Sequence, residues 1–110
     1  MKQFLVIFRE PDGRKDEHAA DEVQQHRQKV WGWIQQQKES NTLLGGTALT
    51  LAGSVIKDGS VTDGPYTKGD DEIVGGYLVI QADDLATATN IITTCSILDF
   101  GGFAEVRECM

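Results

Sequence analysis

The sequence predicts an α+β domain: a split βαβ arrangement with two helices on one face of an antiparallel sheet. Three observations carry this. Strand-length runs at 3–9, 74–82 and 103–108 set side chains alternately on two faces. Two further stretches, at about 19–38 and from Asp83 or Asp84 onward, repeat apolar residues at spacings of three and four. The order reads β-α-β-β-β-α-β with a middle hairpin counted separately, and 110 residues hold one core.

In the first strand Phe4, Val6 and Phe8 fall on one face and Leu5 and Ile7 on the other, so both faces are expected to be buried. Pro11, Asp12 and Gly13 end it, and a polar loop is expected to Glu17. The first helix follows, with Val23, His26, Val30 and Ile34 as its stripe and Trp33 at the border. Trp31 and Trp33 cannot both face the core, so one is expected on a partner or an edge. Gly45-Gly46 reads as a turn and 47–51 as a weak strand. Asp58-Gly59 between two short β-favouring runs in 54–62 reads as a hairpin. Residues 67–72 read as a charged loop.

The strand at 74–82 places Tyr77, Val79 and Gln81 on one face and Leu78, Ile80 and Ala82 on the other. Asp83 or Asp84 can cap the second helix, because a short carboxylate accepts free amide protons of the first turn. Leu85, Ala88, Ile92 and Cys95 share that helix's inner face. Gly101-Gly102 leads into the last strand, with Phe103, Glu105 and Arg107 on one side and Ala104 and Val106 on the other. One layer of helices covers one face of such a sheet. The other face also carries apolar side chains, and a second subunit is the simplest cover.

Charge and cysteine usage narrow the class. A formal charge of −7 gives no basic footprint for nucleic acid. The apolar start is one strand long, too short for a signal sequence core or a membrane span. Two cysteines, Cys95 and Cys109, do not make a disulfide framework, so the expectation is a cytoplasmic protein with reduced thiols. No P-loop, GxGxxG or nucleophile elbow is present, and no cofactor is expected. No metal is expected either: His18 and His26 stand eight residues apart and the cysteines lack CxxC spacing.

Three ordered motifs now stand out: Val61-Thr62-Asp63-Gly64-Pro65-Tyr66, Glu72-Ile73-Val74-Gly75-Gly76-Tyr77 and Ala104-Glu105-Val106-Arg107. Together they resemble the YCII-related family, most closely its branch named for an Asp-Gly-Pro-Phe tetrapeptide, the DGPF motif. The resemblance covers nearly the whole chain. It implies a ferredoxin-like fold that dimerises as an α+β barrel. In the wider family it implies dehydrochlorinase-type chemistry on aromatic compounds, with a helix-1 His and an Asp near the end of helix 2 as the proposed pair. Some proteins of the DGPF branch are linked to extracytoplasmic-function sigma factors. This chain departs from the pattern at Tyr66 for Phe, at Asp71-Glu72 for Lys-Glu in a loop one residue longer, at Cys95-Ser96 for Cys-Pro, and at Arg107-Glu108 for Arg-Pro. A role resting on a lysine in that loop would fall to Lys68.

Six residues are candidates for a site. His26 sits on an apolar stripe and matches the family's helix-1 His. It is a proton carrier or a partly buried histidine with a hydrogen-bond partner. Cys95 takes the approximate place of the family's Asp; it is a nucleophile if His26 lowers its pKa, or inert packing. Asp63 and Tyr66 form a pocket rim or serve only the turn, with the Tyr66 ring against the core and its hydroxyl at a polar cavity. Arg107, on one strand face with Glu105, holds an acidic or phenolate ligand inside the barrel, or simply pairs with a carboxylate. Arg9 joins the same cavity. The expected whole is a homodimer with a small-molecule pocket and acid–base chemistry on a cyclic or aromatic substrate. The alternative is a non-catalytic accessory module tied to transcription through a sigma factor.

Overall fold

The computed structural model describes residues 1–11, 19–69 and 72–110. The expected loop to Glu17, His18 and Asp71 of the altered loop motif therefore lie outside the described residues. The chain runs β1 (Lys2–Glu10), α1 (Ala20–Glu39), β2 (Leu43–Ala48), β3 (Ser54–Lys57), β4 (Ser60–Asp63), β5 (Ile73–Ala82), α2 (Leu85–Thr93), a 3₁₀ turn (Ser96–Phe100) and β6 (Phe103–Glu108). The main sheet is antiparallel with order β2-β5-β1-β6, and β3-β4 forms a separate two-stranded ribbon. This is the α+β architecture that the alternation and periodicity predict, and the ferredoxin-like fold that the family resemblance implies.

Register follows from burial. Phe4 faces Ile80 and Val6 faces Leu78 across β1–β5. Phe4, Val6 and Ile80 are fully buried, and Phe8, Trp33, Leu78, Ala82, Ala88, Ile92 and Cys95 complete the core under the helices. A one-residue slip would turn the whole set outward. Asp84 caps α2, its Oδ1 accepting the Thr87 amide at 2.8 Å. The Asp58-Gly59 turn takes φ of 51° and 79°, the left-handed pair that joins β3 to β4.

Three expectations change. Gly45-Gly46 lies inside β2 rather than in a turn. Gly46 has φ 140°, and a Cβ there would strike the Tyr77 carbonyl oxygen and sit 2.7 Å from the Leu78 Cα, so the glycine lets β2 approach β5. Trp33, expected at the border, is the one buried residue of α1; its indole N–H donates to Thr94 Oγ1 at 3.0 Å. Trp31 is the exposed tryptophan. Leu85 is half exposed, while Ala88 and Ile92 further along α2 are buried and Ile91 packs beside them.

Both helices lie on one face of the sheet. The extents of 41 × 40 × 19 Å describe a flat disc two layers thick. The radius of gyration is 15.2 Å, above the roughly 13 Å of a close-packed chain of this length. The β3–β4 ribbon accounts for part of this, since Ile56 and Val61 are 75% and 67% exposed. No helix among the described residues is long and apolar enough to cross a membrane.

Candidate functional site

Strand parity builds the helix-free face. Leu5 and Ile7 of β1 stand beside Val79 and Tyr77 of β5, and beside Arg107 and Glu105 of β6. Leu5, Ile7 and Val79 are half buried and Tyr77 is exposed, so the face is an apolar floor open to one side.

Charges gather at the end of this floor. The β1–β5 register shifts between Phe8 and Arg9, where β5 carries Gly75 as one extra residue, while β1 continues in register with β6. Arg9 then reaches Glu72 at 3.6 Å and Glu105 at 3.9 Å, and Glu105 reaches Arg107 at 3.9 Å. Glu72 is held by a backbone bridge in which the Lys68 amide donates to the Glu72 carbonyl at 2.8 Å and the Glu72 amide donates back at 3.2 Å. Glu72 Oε2 is shut off from solvent and accepts no hydrogen bond among the described residues. The Arg9 guanidinium balances its charge without bonding to it. Arg107 is the open end of the chain of charges, with its side chain 69% exposed. Two guanidiniums beside an apolar floor can receive a flat anion, since the fork of donors matches a carboxylate or phenolate.

The other candidates lie elsewhere. His26 Nε2 is 2.8 Å from the Ser96 carbonyl, an oxygen that only accepts, so Nε2 carries the proton and donates. That bond pins α1 to the 3₁₀ turn on the helix side of the sheet. Cys95 is buried next to it, and desolvation pushes its thiol from 9.0 up to about 11, aided by the charge of Asp99. A nucleophilic thiolate needs a pKa moved the other way. Asp63 ends β4 opposite Ser54, the Gly64 amide donates to the Gly53 carbonyl at 2.8 Å, and the Gly64-Pro65 bond that follows is cis. Tyr66 is 74% exposed, so its ring does not pack against the chain's own core as expected. No ion pair or hydrogen bond joins Asp63 or Tyr66 to Arg9 or Arg107 among the described residues.

Arg9 and Arg107 are thus brought together through Glu105, while His26 with Cys95, and Asp63 with Tyr66, form two separate places. The sequence reading missed Glu72, which it left in a charged loop; its position directly before β5 was the signal. It also missed a groove of about 520 Å³ between α1 and the end of α2, lined by Lys29, Trp33, Gln36, Thr94 and Ser96. A second groove of about 570 Å³ runs along Val23, Arg27 and Trp31 of α1. His26 lines neither. Among the described residues no cluster of three or more His, Cys, Asp or Glu could hold a metal ion.

A family model for the YCII-related domain matches residues 5–108. No curated protein matches the chain.

Proposed function

The chain belongs to the YCII-related domain family, and from that premise we propose that it works as a homodimer whose helix-free sheet faces enclose a pocket for a small anionic aromatic or cyclic molecule. The observation that carries this is the apolar floor of Leu5, Ile7, Tyr77 and Val79 ending at Arg9 and Arg107. A ring would lie on the floor, and its carboxylate or phenolate would meet Arg107, with Arg9 behind. Burying the floor's apolar area against a second copy contributes roughly 25 cal/mol per Å². In this arrangement Asp63 and Tyr66, which stand apart in one protomer, are the residues free to form a rim from the other.

Acid–base chemistry assigned to His26 is the demanding part of the reading. It requires the imidazole to leave the Ser96 carbonyl, or to act through its other nitrogen. Binding without turnover, as in an accessory module that answers a ligand and passes the signal to a transcription partner such as a sigma factor, is favoured by one observation. His26 Nε2 is committed to a backbone carbonyl, beside a thiol that burial keeps protonated.

Thermal shift with benzoates, phenols and lactones tests both. Aromatic acids should raise the melting temperature of the wild type and of His26→Ala, and lose most of that effect in Arg107→Ala. No shift with any member of the panel, or equal shifts in Arg107→Ala, overturns the pocket. Turnover abolished in His26→Ala with binding kept would return the imidazole to catalysis.

A further inference from the structure

Among the described residues no strand pairs with either outer edge of the main sheet, and β6 is one of these edges. Its hydrogen-bonding phase can be read from its neighbours. The Cys109 amide donates to the Gln3 carbonyl at 2.9 Å, and Arg107 and Glu105 face Leu5 and Ile7. In an antiparallel ladder alternate residues give both backbone groups to the same neighbour. Residues 105, 107 and 109 therefore bond to β1, while Ala104, Val106 and Glu108 turn their N–H and C=O groups outward. The phase on β5 agrees, since the Gln81 amide donates to Thr42 on the β2 side.

We propose that β6 is a self-pairing edge: two copies align β6 antiparallel about a twofold axis at Val106, with Glu105 of each facing Arg107 of the partner subunit. A twofold between antiparallel edges passes through a facing pair of identical residues, whose backbone groups point outward, as at Ala104, Val106 and Glu108, or inward, as at Glu105 and Arg107. Centring on Glu105 or Arg107 sets a charge against its own copy. Centring on Glu108 sets that carboxylate against its own copy. Centring on Ala104 sets Phe103 against Glu105. Centring on Val106 sets Glu105 against Arg107 twice, in the non-hydrogen-bonded position where facing side chains are closest. The within-chain Glu105–Arg107 contact is a poor competitor, at 3.9 Å between side chains 43% and 69% exposed. Both residues lie on the helix-free face, so the joint brings two copies of the Arg9–Glu105–Arg107 cluster to one seam and forms one wall of the closed barrel. This inference rests on the homodimer and adds which edges meet and in what register.

Cysteine pairing tests it. Glu105→Cys and Arg107→Cys are made separately in a Cys109→Ser background, since Cys109 is the exposed native thiol. Directly facing residues lie within reach of a disulfide. Mixing the two proteins under mild oxidation should give a linked dimer on a non-reducing gel, and either protein alone should give at least tenfold less. On the wild type, amide exchange at Val106 should slow at least tenfold as the protein is concentrated from monomer to dimer. A dimer by light scattering with no mixed disulfide and fast Val106 exchange overturns the edge and leaves the homodimer standing. Equal linking in the unmixed samples overturns the register. A monomer at high micromolar concentration overturns both.

Discussion

Raising the pH from 8 to 11 should unfold this protein more readily, and Cys95 should account for a defined share of the loss. The thiol is 3% exposed, packed with Trp33, Ala88 and Ile92, and burial moves it from 9.0 to about 11. The native state therefore holds the thiol proton more tightly than the unfolded chain does. Its stability contribution is fully present below pH 9 and is lost as the pH rises through 11. The ceiling is about 3 kcal/mol, and about 2 kcal/mol of it is gone by pH 11. Urea unfolding followed by tryptophan fluorescence reads this directly, because Trp33 lies in the same cluster. Lysines and tyrosines titrate over the same range, so the comparison is with Cys95→Ala. That variant starts lower through its lost packing, and its further decline should be about 2 kcal/mol smaller. Parallel decline in both proteins would refute the desolvated thiol. So would rapid labelling of Cys95 by a disulfide reagent at pH 8 under native conditions, where Cys109 alone should react.

Gly46→Ala should cost about 1–3 kcal/mol in chemical denaturation, because φ 140° and the Tyr77–Leu78 backbone leave no room for a Cβ, whereas Gly45→Ala, with open space, should change little. Asp84→Ala should lower the melting temperature by a few degrees at pH 7. Its carboxyl is held below the ordinary value chiefly by the Thr87 hydrogen bond, so the cap is in place above about pH 4. The difference from wild type should vanish as the pH falls through the folded-state value. Trp33→Phe should cost about 1 kcal/mol through the lost bond to Thr94, read from the urea midpoint.

The fold was legible wherever a local period maps onto one face. β1 and β5 alternate, and their helix-side residues are buried as expected; Leu5 and Ile7 on the other face of β1, expected to be buried too, are only half buried, and β6 holds no buried residue. β2 was not legible, because its glycines answer to the backbone of β5, and nothing local records a neighbour thirty residues away. Trp33 was misplaced for a related reason. The stripe of α1 drawn through Val23, His26, Val30 and Ile34 is correct in direction, but the helix packs on the 3₁₀ turn and β2, and the Trp33 ring joins the core cluster and reaches Thr94. The meeting of Arg9, Glu105 and Arg107 was legible because strand parity puts Glu105 and Arg107 on one face and Arg9 on an adjoining strand. Glu72 was not, since its placement depends on the extra residue Gly75 that shifts the start of β5 against β1.

Glu105 decides how the charge cluster should be understood. It lies 3.9 Å from both Arg9 and Arg107, so each arginine that is to receive an anion must first leave it. If the cluster serves only to solvate a sheet edge, Glu105→Gln removes weak pairs and nothing gains. If Arg107 receives a carboxylate, the same change removes its competitors, the Glu105 of its own chain and the Glu105 of the partner subunit proposed to face it, at nearly constant volume. Partly exposed pairs of this kind are worth about 0.4–1 kcal/mol, so an aromatic acid should bind about two- to fivefold more tightly to Glu105→Gln. Isothermal titration with benzoate as probe measures this. The gain should disappear in Glu105→Gln/Arg107→Ala, which keeps Arg9. A gain that survives in the double variant moves the anion to Arg9, and weaker binding in Glu105→Gln makes the carboxylate part of the recognition rather than its rival.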